Sequence, residues 1–391
     1  MIAVTLAPGK EKRVNAGHPW IYRSEIARIE GDPPPGALAV VSDHRGKLLG
    51  QAMVNLRSQI AARLLSRTEE TIDGAFIERR IREALARAAR SATGPGACRL
   101  VFGEGDRMPG LIADRYGDLV VIQILTAGME RLRDEVVGAL RRVVGPRAIY
   151  ERSDVSARKL EGLELRRGFA WGTADTGVWI KEGDVAFFVE VAAGQKTGFF
   201  LDQRENRQAV KRLARDRTVL DCFCYSGGFS VSAGAGGAAS ILGVDISPEA
   251  LSWAERSAAE NGLAGRCKFV AANAFDYLRA LDREGRRFGM IILDPPAFTK
   301  GREALAGALR GYNEINLRAM RLLDRGGILV TCSCSYHVDA AVFLDMLRSA
   351  GADAHREFRL LELRTQAADH PILLAAKETQ YLKCAILEAV N

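Results

Sequence analysis

The chain has 391 residues, 48% hydrophobic and 26% charged, a mix that buries more than one core and excludes a disordered or fibrous protein. No apolar run reaches the roughly 18 residues of a membrane span, and the N-terminus lacks the basic start and apolar stretch of a secretory signal, so a cytoplasmic protein with no membrane partner is expected. The net charge of +7 is spread evenly along the chain, which favours an acidic polymer as partner without identifying one.

Residues 1–75 alternate short β runs with turn residues. Residues 37–41 and 59–65 read as strands, and the Gly-Asp-Pro-Pro-Pro-Gly stretch at 31–36 reads as a turn-rich connection. A small, mostly β module is expected here. Residues 73–90 follow as a helix, with Ile77, Ile81, Ala84, Leu85 and Ala88 at helical spacing. Its other face carries Arg79, Arg82, Arg87 and Arg90, which suits solvent first and phosphates second. The Ser-Ala-Thr-Gly-Pro-Gly stretch at 91–96 is a linker by composition. Strands at 119–125 and 148–151 with a helix at 130–144 then make a mixed α+β block over residues 76–185, in which no residue types point to chemistry.

From residue 186 to 391 the rhythm becomes strand–helix–strand. Strands are expected at 218–223, 240–245, 268–271, 290–294, 327–332 and 381–390. Helices are expected to begin at Gly227 and, with a capping serine and a first-turn proline, at Ser247-Pro248, with another at 342–350. Short apolar runs alternating with helices indicate an α/β domain whose parallel sheet is covered on both faces.

The seven cysteines, Cys98, Cys222, Cys224, Cys267, Cys332, Cys334 and Cys384, are odd in number and lie mostly in apolar segments, against a disulfide framework. Cys222 and Cys224, and likewise Cys332 and Cys334, are separated by one residue, so each pair shares a face if the strand continues through it. Structural zinc sites use wider spacing, so no metal is expected.

In a doubly wound sheet, ligands lie beyond the carboxyl ends of the strands, where this sequence sets its unusual residues. The first strand runs into Asp221-Cys222-Phe223-Cys224-Tyr225-Ser226-Gly227-Gly228. Its adjacent glycines allow close backbone approach but lack the three-glycine dinucleotide spacing, so the loop suits an amino-acid carboxylate better than a pyrophosphate. The second ends in Asp245, which can hold both hydroxyls of a ribose. Asn273 follows the third, within reach of an adenine edge. The fourth ends in Asp294-Pro295-Pro296-Ala297-Phe298, where two prolines fix the backbone and remove N–H donors. The fifth ends in Thr331-Cys332-Ser333-Cys334-Ser335. Singly, these are a helix cap, a turn and small core residues. Five such sets in order, each at a strand end, outweigh those readings.

The segment Gln-Lys-Thr-Gly-Phe-Phe-Leu-Asp-Gln-Arg-Glu-Asn-Arg at 195–207 resembles a signature of the RlmI-like family of ribosomal RNA large-subunit cytosine-5 methyltransferases. The glycine loop, the run from Asp294 to Lys300, Thr331-Cys332-Ser333-Cys334-Ser335, Asp369-His370-Pro371 and the stretch from Glu378 to Lys383 resemble it too. Upstream, Gly17-His18-Pro19-Trp20 is similar to the family's PUA module, and Leu100 to Glu104, Pro109 to Ile112 and Tyr150 to Ser153 to its middle domain. The resemblance covers nearly the whole chain. It implies a PUA-like RNA-binding domain at 1–75, a middle domain at 76–185 and a class I Rossmann-like methyltransferase domain at 186–391. It implies S-adenosylmethionine as cofactor, held by Phe199, Arg204, Asp221, Tyr225, Gly227, Asp245, Asn273 and Asp294, although Asn273 stands where many relatives of the fold carry aspartate. The implied partner is structured RNA of the large ribosomal subunit, and a homodimer is one open arrangement.

Carbon 5 of cytosine is a poor nucleophile until a thiolate adds at carbon 6. That chemistry asks for a cysteine facing an acid, which Cys334 or Cys332 with Asp294 would supply. Cys334, further out along the chain, is preferred. Methylation of uridine carbon 5, methylation of a base amino group and a non-catalytic RNA-binding assembly factor are the alternatives. His370 is a weaker candidate for the base that removes the carbon-5 proton.

Overall fold

The computed structural model describes residues 2–91, 96–298 and 302–391. Four linker residues, 92–95, and Thr299 and Lys300 of the acid-Pro-Pro motif lie outside them.

The chain forms two compact units, one comprising Met1–Val178, Val191–Gly198 and Ala368–Thr379, the other Trp179–Glu190, Phe199–Ala367 and Gln380–Asn391. The first holds a six-stranded sheet within residues 2–66 and a five-stranded sheet within residues 97–171. One core joins them: Met53 and Leu65 from the first pack with Leu111, Val120 and Ile122 from the second and with Phe76, Ile77 and Ile81 of the helix Gly74–Ser91. That helix starts one residue later than the periodicity predicts because Asp73 caps it, its carboxylate accepting from Phe76 N at 2.9 Å. The expected strand at 59–65 is shorter and shifted, Ala62–Ser66.

The arginine face of this helix is largely neutralised. Arg79 pairs with Glu70 and Glu83, Arg82 with Glu78, and Arg87 makes a two-pronged bridge to Asp106 at 2.7 Å. Cations already paired with carboxylates release few counterions on meeting phosphate. Arg82→Ala should therefore leave the slope of RNA affinity against salt unchanged, as a filter-binding titration would read; a slope shallower by about one unit would restore this face as a phosphate track.

The second unit is built on a seven-stranded sheet of β1 (Thr218–Cys222), β2 (Ser240–Asp245), β3 (Cys267–Ala271), β4 (Phe288–Leu293), β5 (Leu323–Ser333), β6 (Phe358–Arg364) and β7 (Lys383–Ala389), in the order β3-β2-β1-β4-β5-β7-β6. All neighbours are parallel except those of β7, which runs antiparallel to both β5 and β6. The helices are α1 (Arg204–Leu213), α2 (Gly228–Ala235), α3 (Pro248–Glu260), α4 (Ala274–Arg283), α5 (Leu305–Leu322) and α6 (Ala340–Asp353). Leu278 and Leu281 of α4, Ile315 and Ala319 of α5 and Phe343 of α6 pack with one set of strand residues, among them Leu220, Ile291 and Leu329. Ala209 and Val210 of α1 and Phe229 and Ala233 of α2 pack with the alternate set, Val219, Ile292 and Val330. The alternation follows from the pleat, which sends successive side chains to opposite faces.

The sheet order reverses beside β1: β2 and β3 lie on one side, β4 and β5 on the other. A crevice at the carboxyl ends of the strands at such a switch point is where open α/β sheets bind ligands. Among the described residues no helix is long and apolar enough to cross a membrane.

Candidate active site

The loop after β1 is conformationally costly. Phe223 and Tyr225 adopt φ of +64° and +49°, and Gly227, the N-cap of α2, adopts +76°. Positive φ at aromatic residues is rare and concentrates at ligand-binding turns. The left-handed Phe223 ends the strand at Cys222, so Cys224 does not continue its face: Cys222 packs in the core beside α4, whereas an added Cβ at Gly243 would lie 3.1 Å from Cys224 Sγ. At Gly227 a Cβ would lie 2.7 Å from that of Ala254, so glycine is needed there for space as well as for φ.

Three carboxylates ring this loop. Asp221 is fully buried, and its Oδ2 accepts from Ser230 Oγ at 2.6 Å. Among the described residues its Oδ1 has no hydrogen-bond partner, nor has the buried hydroxyl of Ser226. Burial pushes the Asp221 carboxyl up to about 7, and the charges of Asp294 and Asp245 push the same way against the Ser230 hydroxyl. Asp245 is half-buried and accepts two backbone N–H groups, from Tyr225 at 2.9 Å and Ser247 at 3.0 Å, which fix its carboxylate between the glycine loop and the start of α3. Asp294 follows β4 and accepts from Gln203 Nε2 at 3.0 Å.

The remaining expected cofactor residues fall into different surroundings. Phe199 is buried with the Arg207 guanidinium 4.5 Å above its ring, and an added Cβ at Gly228 would lie 3.4 Å from it, so Phe199 covers the first turn of α2. Arg204 is buried at the start of α1, with Nη2 3.2 Å from Glu205. The Tyr225 ring packs edge-on against Phe200 and Trp253, with centroids 5.4 and 6.1 Å away. Asn273 caps α4, its side-chain oxygen accepting from Phe275 N and Asp276 N at 2.9 and 3.4 Å. With that oxygen occupied, the asparagine offers a ligand its amide donor.

On the fifth strand the two cysteines separate. Cys332 is fully buried and lies opposite Cys384 of β7; its hydrogen bond with Cys384 and its burial hold the thiol well above the ordinary range. Cys334 lies one residue past the strand end, half-buried, against the same core cluster. The two cysteines thus share a side, as period-two alternation predicts, and differ in access. Leu293 is in register with Thr331, so Asp294 and the Cys332–Cys334 stretch leave neighbouring strand ends side by side. His370 is buried in the other compact unit, its Nδ1 2.8 Å from Asp369 and its ring 5.3 Å from that of Phe102, surroundings that suit a structural histidine.

Three features escaped the reading of residue types. Gln203 braces Asp294 from within the 195–207 signature, where it stood without an assigned role. Ile246, directly after Asp245, is 73% exposed, an apolar surface beside a candidate ribose ligand. A row of rings, Phe223, Phe275, Phe298 and Tyr312, with successive centroids 6.2, 5.7 and 4.5 Å apart, comes from four separate segments. Only Ile246 carried a local signal, an isoleucine where the strand should already have ended.

Residues 4–67 match a PUA-like domain family and residues 168–375 an S-adenosylmethionine-dependent methyltransferase family. A ribosomal RNA large subunit methyltransferase I of Erwinia tasmaniensis is 41% identical over 387 residues, covering 98% of each chain. One of Aeromonas hydrophila is 42% identical over 395 residues, covering 99% of each. A solved methyltransferase structure complexed with SAH shares the fold, with a TM-score of 0.86 at 21% identity over 99% of this chain and 100% of that one. Fold, crevice and family match together define an S-adenosylmethionine-dependent methyltransferase carrying an N-terminal PUA-like domain. The chain belongs to the ribosomal RNA large subunit methyltransferase I family.

The crevice suits the cofactor on its own evidence. Asp221 Oδ1 and Ser226 Oγ are buried polar atoms without a hydrogen-bond partner among the described residues, as a polar ligand would require, and three clustered carboxylates complement a ligand bearing an ammonium and a sulfonium. A cationic ligand meeting Asp221 would favour its ionised form, whose proton below about pH 7 would first have to leave. Affinity for S-adenosylmethionine is expected to fall about fivefold from pH 7 to pH 6. Asp221→Asn should flatten that dependence in a calorimetric titration; equal slopes in the two proteins would remove Asp221 as its source.

Proposed function

We propose that this chain methylates carbon 5 of a cytosine in large-subunit ribosomal RNA, in the cytoplasm, with Cys334 as nucleophile and Asp294 as the acid that hydrogen-bonds the base. The observation that supports this reading is the register of neighbouring strand ends: Leu293 lies opposite Thr331, so the braced Asp294 and the stretch that carries Cys334 leave the sheet side by side. Residues 1–75 are read as the RNA-gripping module, 76–185 as the middle domain and 186–391 as the catalytic domain.

Asp245, between two backbone donors, would hold the ribose hydroxyls, with Ile246 against the adenine. Asn273 and the N–H groups at the start of α4 would read the adenine edge, while Asp221, Phe199, Arg204 and the backbone at Tyr225 and Gly227 would hold the amino-acid part. S-adenosylmethionine, when bound, supplies a methyl group on a sulfonium.

Cys334 Sγ adds to carbon 6: the S–C6 bond forms and the C5=C6 electron pair moves to carbon 5, which becomes nucleophilic. Asp294, held by Gln203, hydrogen-bonds the base and favours that shift of charge. After carbon 5 is methylated and its proton leaves to a base, the C5–H pair rebuilds the double bond and expels the Cys334 thiolate. An amino-group target would need no cysteine at this place.

Nucleoside mass spectrometry of ribosomal RNA from cells with and without the gene tests the reading. Loss of one 5-methylcytidine, restored by the intact chain, is the expected result. Unchanged 5-methylcytidine with loss of another methylated nucleoside would replace it.

A further inference from the structure

Lys383, the first residue of β7, is only 6% exposed, a rare setting for an ammonium. Its Nζ donates to the carbonyl oxygens of Ser335, at 2.7 Å, and Tyr381, at 2.8 Å. No carboxylate lies within salt-bridge distance of it among the described residues. Two carbonyl dipoles compensate a buried cation only in part, and such groups are ordinarily matched by an anion. The Ser335 carbonyl belongs to the residue after Cys334, so the ammonium holds the turn that carries that thiol. The charges of Lys383 and Cys334 act on each other across it.

We propose that Lys383 is a positioning residue whose ammonium serves as the counter-ion of the Cys334 thiolate and pins the turn that presents it. The inference rests on the reading of Cys334 as nucleophile. When Cys334 ionises, the S–H bond breaks, its proton passes to water and the electron pair stays on Sγ, one residue before the carbonyl that the buried ammonium holds. Other groups act on this pair. The Tyr312 hydroxyl, 3.0 Å from Ser335 Oγ, is pushed up by burial and by the Cys334 charge; Asp339, exposed at the start of α6, favours the ammonium. Burial lowers the Lys383 ammonium to about 8, so it is mostly charged at neutral pH and lost as pH rises further.

The test is the pH dependence of Cys334 alkylation by iodoacetamide on the full chain, followed by tandem mass spectrometry, whose fragment ions tell a label on Cys334 from one on the buried Cys332 of the same peptide. In the unaltered protein the Cys334 midpoint should lie below the roughly 8.5 of a free thiol. Lys383→Met should raise it by about one unit, slowing alkylation at neutral pH about tenfold, while S-adenosylmethionine binding is retained. Lys383→Arg, which keeps the charge, should restore most of the rate. A midpoint in the unaltered protein at or above that of a free thiol overturns the proposal even if the methionine variant fails to fold. So does an unchanged midpoint in a methionine variant that binds the cofactor. The parent reading fails by a different outcome, a covalent RNA adduct on another residue, which leaves the alkylation midpoint where it is.

Discussion

Cys334→Ala should abolish covalent trapping of an RNA carrying 5-fluorocytosine at the target position and should lower methyl transfer by about 10³-fold or more. Fluorine at carbon 5 cannot leave as a proton, so the thiolate cannot be expelled and the adduct persists on the cysteine that formed it. The structure sharpens the choice between the two cysteines. Cys332 is fully buried, hydrogen-bonded to Cys384 and held well above the ordinary thiol range, all of which oppose ionisation. Cys334 is half-buried past the strand end, with the Lys383 ammonium acting on it. Cys332→Ala should at most slow trapping, through the small core defect it creates. Denaturing electrophoresis of labelled RNA reads both variants. Trapping lost in Cys332→Ala and kept in Cys334→Ala would transfer the role to Cys332. An enzyme that methylates normal RNA yet traps nothing would end the thiol mechanism.

Asp245→Ala should weaken S-adenosylmethionine binding at least tenfold. A hydrogen bond to a charged group contributes about 1.5–3 kcal/mol, and about 1.4 kcal/mol is already a factor of ten in affinity. The same carboxylate also accepts from Tyr225 N and Ser247 N, so its loss frees the glycine loop and the entry to α3 together. Asp245→Asn separates the two contributions, since its side-chain oxygen can still accept a backbone N–H. The expected order of affinity is intact protein, then asparagine, then alanine. Calorimetry giving equal affinity for all three would remove Asp245 from the site, and a drop in melting temperature without a drop in affinity would make it purely structural.

Where local rules suffice, the sequence determined the outcome. Ser247-Pro248 opens α3 as its capping pattern requires, with Ser247 Oγ accepting from Ala250 N. The apolar run at 240–245 is β2, residue for residue. The order of strand-end motifs was legible because a parallel sheet returns each strand in the same direction and so collects all their ends on one edge. The family was legible for another reason: its signatures are contiguous stretches of chain.

Tertiary structure decided what depends on residues far apart. The edge strand β6 was not anticipated, since Phe358–Arg364 leaves Leu360, Leu361 and Leu363 over 40% exposed and shows no clean alternation. The antiparallel course of β7 depends on pairing with β5 and β6, which no local pattern encodes. That Phe223 ends its strand in a left-handed turn, parting Cys224 from Cys222, contradicts the propensity of an aromatic residue and is imposed by the loop around it. Gln203 on Asp294, the four-ring row and the buried ammonium of Lys383 on Ser335 join residues 14 to 91 positions apart. A side chain's burial and charged neighbours set its chemistry, and both are properties of the folded chain: residue type makes Cys332 and Cys334 equivalent thiols, and only packing buries the first fully and the second by half.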